Sequence, residues 1–317
     1  MSAQVTKELD LVSVGRVVVD LYPAEDGRAP KDVENYRQYL GGSPTNVAVA
    51  AARAGLRSAV VTRTGDDLFH EFVVDQLASF GVDARWVRAV PGRRTTLAVC
   101  DLRDPSSPAL QFFQDTPPPT DALDAAELVA ASSSSHMLWI TASGFATDRS
   151  AAAHDAALAA AEHTFLDLDH RPDFWADERA LRDRLRPVLP QVDTVVGNEK
   201  ECSIALGRPG TAEELGRVLL DEGPRLAVVK RGEEGVVAVT RDAVLSVPAV
   251  PVRVVNGLGA GDAFGGWLVS GMSAGVPLDV TLRRATAAGA IVASRRGCSV
   301  AMPTPAEVDE LLERHGR

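Results

Sequence analysis

Short β-prone runs alternate with alanine-rich helical stretches along most of this chain. Such alternation restricts the fold to βα units laid on a mostly parallel sheet. Residues 9–14 read as a first buried strand. Ser43-Pro44 reads as a helix start, with Ser43 as N-cap and Pro44 at the first helical position, before an alanine-rich run to Ala54 and a stop at Gly55. A strand at 58–63 and a helix at 67–80, closed by Gly81, continue the pattern. From residue 137 the rhythm resumes, with strands near 137–141, 164–169, 194–196 and 226–230 and helices near 148–162, 176–189, 199–206 and 212–222. A hairpin-like pair at 236–247 and helices near 263–274, 279–294 and 305–315 follow. Ser132 to Ser135 reads as a solvated polar connection. No internal repeat is visible.

Two stretches break the alternation. Residues 16–40 and 93–115 carry β-prone runs with no helix between them, and Pro117, Pro118 and Pro119 end the second stiffly. A small separate sheet acting as a lid is expected there.

The 317 residues, 45% hydrophobic, suffice for one large α/β domain or two ordinary ones. A net charge of −10, with the 33 basic residues scattered, argues against binding nucleic acid or an anionic membrane. Any anionic ligand must therefore meet a local positive site. Cys100, Cys202 and Cys298 are odd in number and far apart, which points to buried thiols rather than disulfides or a metal cluster. No leading apolar segment and no run of about 18 apolar residues occurs, so a cytoplasmic protein is expected.

The chemistry concentrates in Asn-Gly-Leu-Gly-Ala-Gly-Asp-Ala-Phe-Gly-Gly at 256–266. Gly257, Gly259 and Gly261 allow the backbone to approach an anion with its N–H groups turned inward, and a helix opening at Gly261 or Asp262 adds its positive dipole end. A carboxylate there repels a resting phosphate, so Asp262 needs a reason, and accepting a proton from an attacking hydroxyl is one. A helix-capping Asp is the other. A dinucleotide fingerprint requires glycine where Asp262 stands, and a P-loop requires Gly-Lys-Ser/Thr; neither is present.

Further polar groups fall at strand ends, where open α/β sheets bind ligands. Arg171, within Asp-Leu-Asp-His-Arg-Pro-Asp-Phe-Trp at 167–175, is suited to a phosphate or a substrate carboxylate, or to a salt bridge with Asp169 or Asp173. Asn198 and Glu201, three apart at a helix start, suit a hydrated Mg²⁺ or ordinary capping. Lys230 opens the turn Lys-Arg-Gly-Glu-Glu-Gly at 230–235, able to wrap a nucleotide or merely to join two strands.

Taken in order, Gly41-Gly42-Ser43-Pro44-Thr45-Asn46, Asn198-x-x-Glu201, the turn from Lys230 to Gly235 and the glycine segment at 256–264 resemble the signatures of the ribokinase-like, or PfkB, sugar kinases. The resemblance spans nearly the whole chain. It implies one three-layer α/β/α kinase domain over 1–317, with a mostly parallel central sheet and a small β-sheet lid. Segments 15–23, 167–175, 195–202 and 295–304 narrow it to members that use ATP to phosphorylate the terminal hydroxyl of 2-deoxy-5-keto-gluconate in inositol breakdown. Fructokinases and 2-keto-3-deoxygluconate kinases share much of the pattern.

By position, the resemblance makes Asp262 the base and the amides of Gly259, Ala260 and Gly261 an anion hole. It assigns Asp20, Gly42 and Asn46 to the sugar, with Arg171 balancing a carboxylate or the moving phosphate. It places the nucleotide at Asn198, Lys230, Gly232 and Gly235, and Mg²⁺ near Asn198 and Glu201 through water. Where the family usually carries Asp-Thr, this chain has Asn256-Gly257. That weakens a K⁺ site that some relatives build from this segment and the one near 296–299. A non-catalytic sugar or nucleotide binder is the competing class. A homodimer formed through exposed lid strands is expected.

Overall fold

Leu11, Val12 and Val14 of β1 (Leu9–Val14) are wholly buried. A strand covered on both faces carries such a continuous apolar run, and β1 lies inside a nine-stranded sheet with helices on both sides. The structure, a computed structural model, describes residues 7–25, 27–106 and 108–316. Residues 26 and 107 of the expected lid stretches, and 1–6 and 317 of the expected domain, lie outside the described residues.

β1 pairs in parallel with β4 (Ser58–Gly65) and with β8 (Ser135–Thr141). Beyond β4 the sheet ends at β5 (Asp83–Val90). Beyond β8 it continues through β9 (His163–Asp167), β10 (Thr194–Asn198) and β11 (Leu226–Lys230), and only β12 (Val236–Val239) is reversed, pairing antiparallel with β11 and with β13 (Val244–Val247). One face packs α1 (Ser43–Arg53), α2 (Phe69–Ser79), α8 (Ala260–Ser273), α9 (Leu278–Ala293) and α10 (Pro305–Arg314). The other packs α3 (Ala125–Ser133), α4 (Asp148–Ala160), α5 (Glu178–Leu185), α6 (Glu199–Leu206) and α7 (Ala212–Asp221).

The two irregular stretches form a second sheet as expected. Its strands β2 (Val18–Pro23), β3 (Tyr36–Gly41), β6 (Leu97–Asp101) and β7 (Ala109–Phe113) lie in the order β3-β2-β6-β7. The turn between β6 and β7 reaches back to the main domain, where the Gly257 N–H donates to the Pro105 carbonyl at 2.8 Å.

Several local expectations change. β5 and α3 are additional elements. Ser132 and Ser135 are buried at the end of α3 and the start of β8, so Ser132 to Ser135 is not a solvated connection. The second helix starts at Phe69 rather than at 67, because Asp67 accepts hydrogen bonds from the Thr95 N–H at 2.7 Å and its hydroxyl at 2.8 Å. α1 begins at Ser43 with Gly42 as N-cap at φ 98°, a left-handed-side backbone that glycine tolerates best. Ser43 therefore does not cap the helix.

Small residues set how closely α1 and α8 cross. A β-carbon on Gly266 would lie 2.5 Å from the Ala50 Cβ, and one on Gly265 would lie 2.6 Å from the Trp139 ring. Any side chain there forces the helices off their contacts. Asp262 is four residues before Gly266 and Asn46 four before Ala50, so the crossing brings those two polar groups onto facing sides one turn earlier.

Candidate active site

Gly259 caps α8 in the left-handed conformation, φ 80°, and the helix opens at Ala260, one or two residues earlier than the glycine spacing suggests. Its first N–H groups have no helical partner, and among the described residues none is found for those of Gly259, Ala260 or Gly261. They leave a positively polarised helix start, with Asp262 in its first turn and Lys230 close by. A β-carbon on Gly261 would lie 3.2 Å from the Lys230 ammonium, which shows how close the end of β11 comes to this helix start.

Asp262 is held from both sides. The Ser43 hydroxyl donates to its Oδ1 at 2.8 Å and the Asn46 amide to its Oδ2 at 2.8 Å. Asn46 in turn accepts at Oδ1 from the Ser299 hydroxyl at 2.7 Å. Asn46, expected at the sugar, is thus placed on Asp262, and Ser43 enters the site without having been singled out beyond its capping role. Burial and the nearby charge of Asp169 raise the Asp262 carboxyl, while the bonds from Asn46 and Ser43 oppose that rise.

Asp20 is 6% exposed on β2. Its carboxylate packs against the α-carbon of Gly41, where a β-carbon would lie 2.1 Å from Oδ2. Burial, reinforced by Asp262, pushes its carboxyl up to about 7. The backbone at Gly42 presses equally closely on Arg16, a β-carbon there falling 2.4 Å from the Arg16 carbonyl.

At the ends of β9 and β11 the charges interlock. Asp169 receives Arg171 at 2.8 Å on Oδ1 and Arg16 at 3.4 Å on Oδ2. Burial works to raise its carboxyl, but the two guanidinium groups outweigh that and hold it below the ordinary range. Lys230 lies 3.6 Å from Asp167. Burial pulls the ammonium down, yet Asp167, Glu201, Asp262 and Asp169 together hold it above its usual value. The turn after β11 carries Gly232 and Gly235, both at positive φ. A side chain at Gly235 would strike the Val247 carbonyl.

Asn198 and Glu201 form a reciprocal capping box. Asn198 Oδ1 accepts from the Glu201 N–H at 2.9 Å, and Glu201 Oε2 accepts from the Asn198 N–H at 2.7 Å. Among the described residues no three acidic, histidine or cysteine groups converge as a metal site. The pair therefore suits an ion held through its own water shell, with Glu201 Oε1 the oxygen outside the box.

Asn256 is wholly buried. It donates to Tyr22 Oη and to the Gly297 carbonyl, both at 3.3 Å, and accepts from the Leu258 N–H at 3.1 Å. Asn256 thus brings a neutral amide to this segment, which lessens the negative charge available to a K⁺ there. The three cysteines are buried and free, with Cys298 3.3 Å from Tyr22 Oη.

The family model for pfkB family carbohydrate kinases matches residues 8–305. Among curated relatives, 5-dehydro-2-deoxygluconokinase from Geobacillus kaustophilus is 28% identical, covering 98% of this chain and 95% of its own. The enzyme of that name from Bacillus subtilis is also 28% identical, with 97% of each covered. Among solved structures, a double-mutant fructokinase from Vibrio cholerae O395 in fructose, ADP and potassium ion bound form is 26% identical. It superposes at a TM-score of 0.85 over 97% of this chain and 99% of that one. A putative ribokinase II from E. coli in complex with ATP and Mg²⁺, at 23% identity, shares the fold at a TM-score of 0.87 over 96% and 99%.

Proposed function

Because the chain belongs to the pfkB family of carbohydrate kinases, we propose that it transfers the terminal phosphoryl group of ATP to the terminal hydroxyl of 2-deoxy-5-keto-gluconate, a step of inositol breakdown. The observation that carries the reading is the position of Asp262. It is a half-buried carboxylate in the first turn of α8, beside unpaired N–H groups and fixed by Ser43 and Asn46. Full-length similarity to kinases of that sugar acid supports the substrate.

In this account Asp20 and the backbone at Gly42 hold the sugar hydroxyls, and Asn46 acts through Asp262. Asp262 accepts the hydroxyl proton as the sugar oxygen bonds to the terminal phosphorus and the bond to the leaving ADP breaks. The amides of Gly259, Ala260 and Gly261 and the Lys230 ammonium face the charge that develops on the transferred group. Asn198, Lys230 and the turn through Gly232 and Gly235 hold the nucleotide. Asn198 and Glu201 would hold Mg²⁺ through its water shell, and the ion would supply positive charge to the phosphate oxygens. The lid, already bonded to Gly257 through Pro105, excludes water from the cleft.

The fructose-bound neighbour favours a second reading, a fructokinase. A coupled ADP assay across 2-deoxy-5-keto-gluconate, 2-keto-3-deoxygluconate, fructose and ribose separates the two. Preference for 2-deoxy-5-keto-gluconate is expected, and a large preference for fructose or ribose overturns the substrate. Saturable sugar binding without ADP release would support the non-catalytic binder instead.

We also propose a homodimer through the lid. Its outer strands β3 and β7 expose Tyr36 and Phe113 at 38% and 56%. Sedimentation at micromolar concentration should show a dimer, and a monomer excludes it.

A further inference from the structure

Arg16 follows β1 directly and is 8% exposed, yet two of its three guanidinium nitrogens, Nε and Nη1, have no hydrogen-bond partner. The third, Nη2, makes only the long contact of 3.4 Å with Asp169. The Phe174 ring lies under the guanidinium, 4.0 Å from Cζ to the ring centroid, which supports the charge without satisfying its donors. Burial pulls this guanidinium down to about 10, against the pull of Asp169. Buried donors of a charged group are costly to leave unmet.

Arg16 lines a cavity of about 240 Å³ that lies at the carboxyl edge of β1 and β8, beneath the chain leaving lid strand β7. At ~30 Å³ per water the space holds about eight waters, room for the acid end of a small sugar. Two more lining residues carry a buried polar atom without a partner, Oε1 of Gln114 and Nε2 of His154, the latter lying against Gly144. His154 Nδ1 donates to the Ser150 carbonyl at 2.8 Å, which leaves Nε2 as a bare acceptor. Arg16 after β1, Gln114 of the lid and His154 of α4, each with an unmet polar atom, therefore border one space, with His154 Nε2 itself packed on Gly144.

The carboxylates on the cavity wall do not neutralise Arg16. Asp115 pairs with Arg94, Asp121 accepts from the Thr147 hydroxyl, and Asp173 is exposed. Asp169 is shared between Arg16 and Arg171, and the charge of Asp262 also acts on both, so neither guanidinium has a carboxylate to itself. In a chain of net charge −10, a buried guanidinium with two unmet donors beside a cavity offers an anionic ligand charge-assisted hydrogen bonds that the protein leaves open.

We propose that Arg16 is the specificity-determining residue that selects a sugar acid over a neutral sugar. Its free N–H groups receive the substrate carboxylate, and Gln114 accepts from a neighbouring hydroxyl. Arg171 pairs with the same Asp169, is 38% exposed, and remains free to face the moving phosphate. The proposal rests on the sugar-kinase reading for the position of the cleft, and it deepens that reading by naming the end of the substrate that is recognised.

Titration calorimetry without nucleotide tests it, using 2-deoxy-5-keto-gluconate and 2-keto-3-deoxygluconate against fructose, on the wild-type protein and on Arg16→Gln and Arg16→Lys. At least one acid should bind the wild type about tenfold or more tighter than fructose. Arg16→Gln should lose about 10- to 100-fold on that acid and almost nothing on fructose, and Arg16→Lys should recover part of the loss. Wild-type protein that binds fructose as tightly as both acids overturns the proposal without any variant. So does a folded Arg16→Gln protein that keeps the acid preference, or one that weakens equally on acid and fructose. If Arg16→Gln does not fold, Arg16→Lys with unchanged acid preference overturns it in the same way. ADP release is read separately. Acid binding through Arg16 without ADP would refute phosphoryl transfer alone, whereas ADP release with fructose and no acid preference would refute the Arg16 role alone.

Discussion

The Asn46 amide nitrogen lies 2.8 Å from Asp262 Oδ2, joining the first turns of α1 and α8 across 216 residues of sequence. With Ser43 on the other carboxylate oxygen, the relationship fixes the Asp262 rotamer and offsets part of the rise that burial imposes, the carboxyl remaining above its ordinary value.

Ser43→Ala removes one of those two donors. Hydrogen bonds to charged groups contribute about 1.5–3 kcal/mol, equivalent to about one to two pH units. The acid limb of the kcat profile should therefore move to higher pH by roughly that amount, with KM for the sugar little changed. An unmoved limb would mean that Ser43 does not tune Asp262.

Asp20 is held where its ionised form is disfavoured, with its carboxyl at about 7 folded against 3.8 in the free chain. The folded state therefore keeps a proton that the unfolded chain has lost. The resulting stabilisation is full below pH 3.8 and disappears as pH rises through 7, at a cost of about 4 kcal/mol above both values. Asp20→Asn should raise the thermal midpoint at pH 8.5 much more than at pH 4, while sugar binding is lost. Equal midpoints at pH 8.5 would show that Asp20 is not strained by burial.

Replacing K⁺ by tetramethylammonium should leave turnover unchanged, because a neutral amide, Asn256, stands where a carboxylate would attract a cation, and it already donates to the Gly297 carbonyl. A loss of tenfold or more would show that a cation binds beside the glycine turn after all.

Where periodicity or glycine punctuation was strong, the sequence was easily read: β1, α6, β11 and the lid strands fall where apolar runs and breakers place them. β5 escaped because Arg85 and Arg88 break its apolar pattern on an edge strand that is covered on only one side. Serine at 132 and 135 looks solvated by composition, but the Ser135 hydroxyl satisfies itself locally on the Ser132 and Met137 carbonyls. Asp262 was legible because glycine, helix start and carboxylate coincide within a few residues. Its support by Ser43 and Asn46 depends on a crossing of α1 and α8 that the small residues Ala50 and Gly266 permit, and the spacing of those small residues is the one signal that could have revealed it. Arg16 lies inside the segment 15–23 that narrows the resemblance, yet nothing in the sequence marks its side chain, since its unmet donors and the cavity beside them exist only once the end of β1, the lid and α4 are brought together.

The central claim is that Asp262 takes the proton as phosphoryl transfer occurs, and the most direct measurement is sugar-dependent ADP formation by wild type and Asp262→Asn, with binding of ATP and sugar checked in parallel. The wild type should form ADP with a sugar acid, and the variant should bind both ligands while losing about 10²–10⁴ in kcat. A variant that turns over at near wild-type rate would contradict the account.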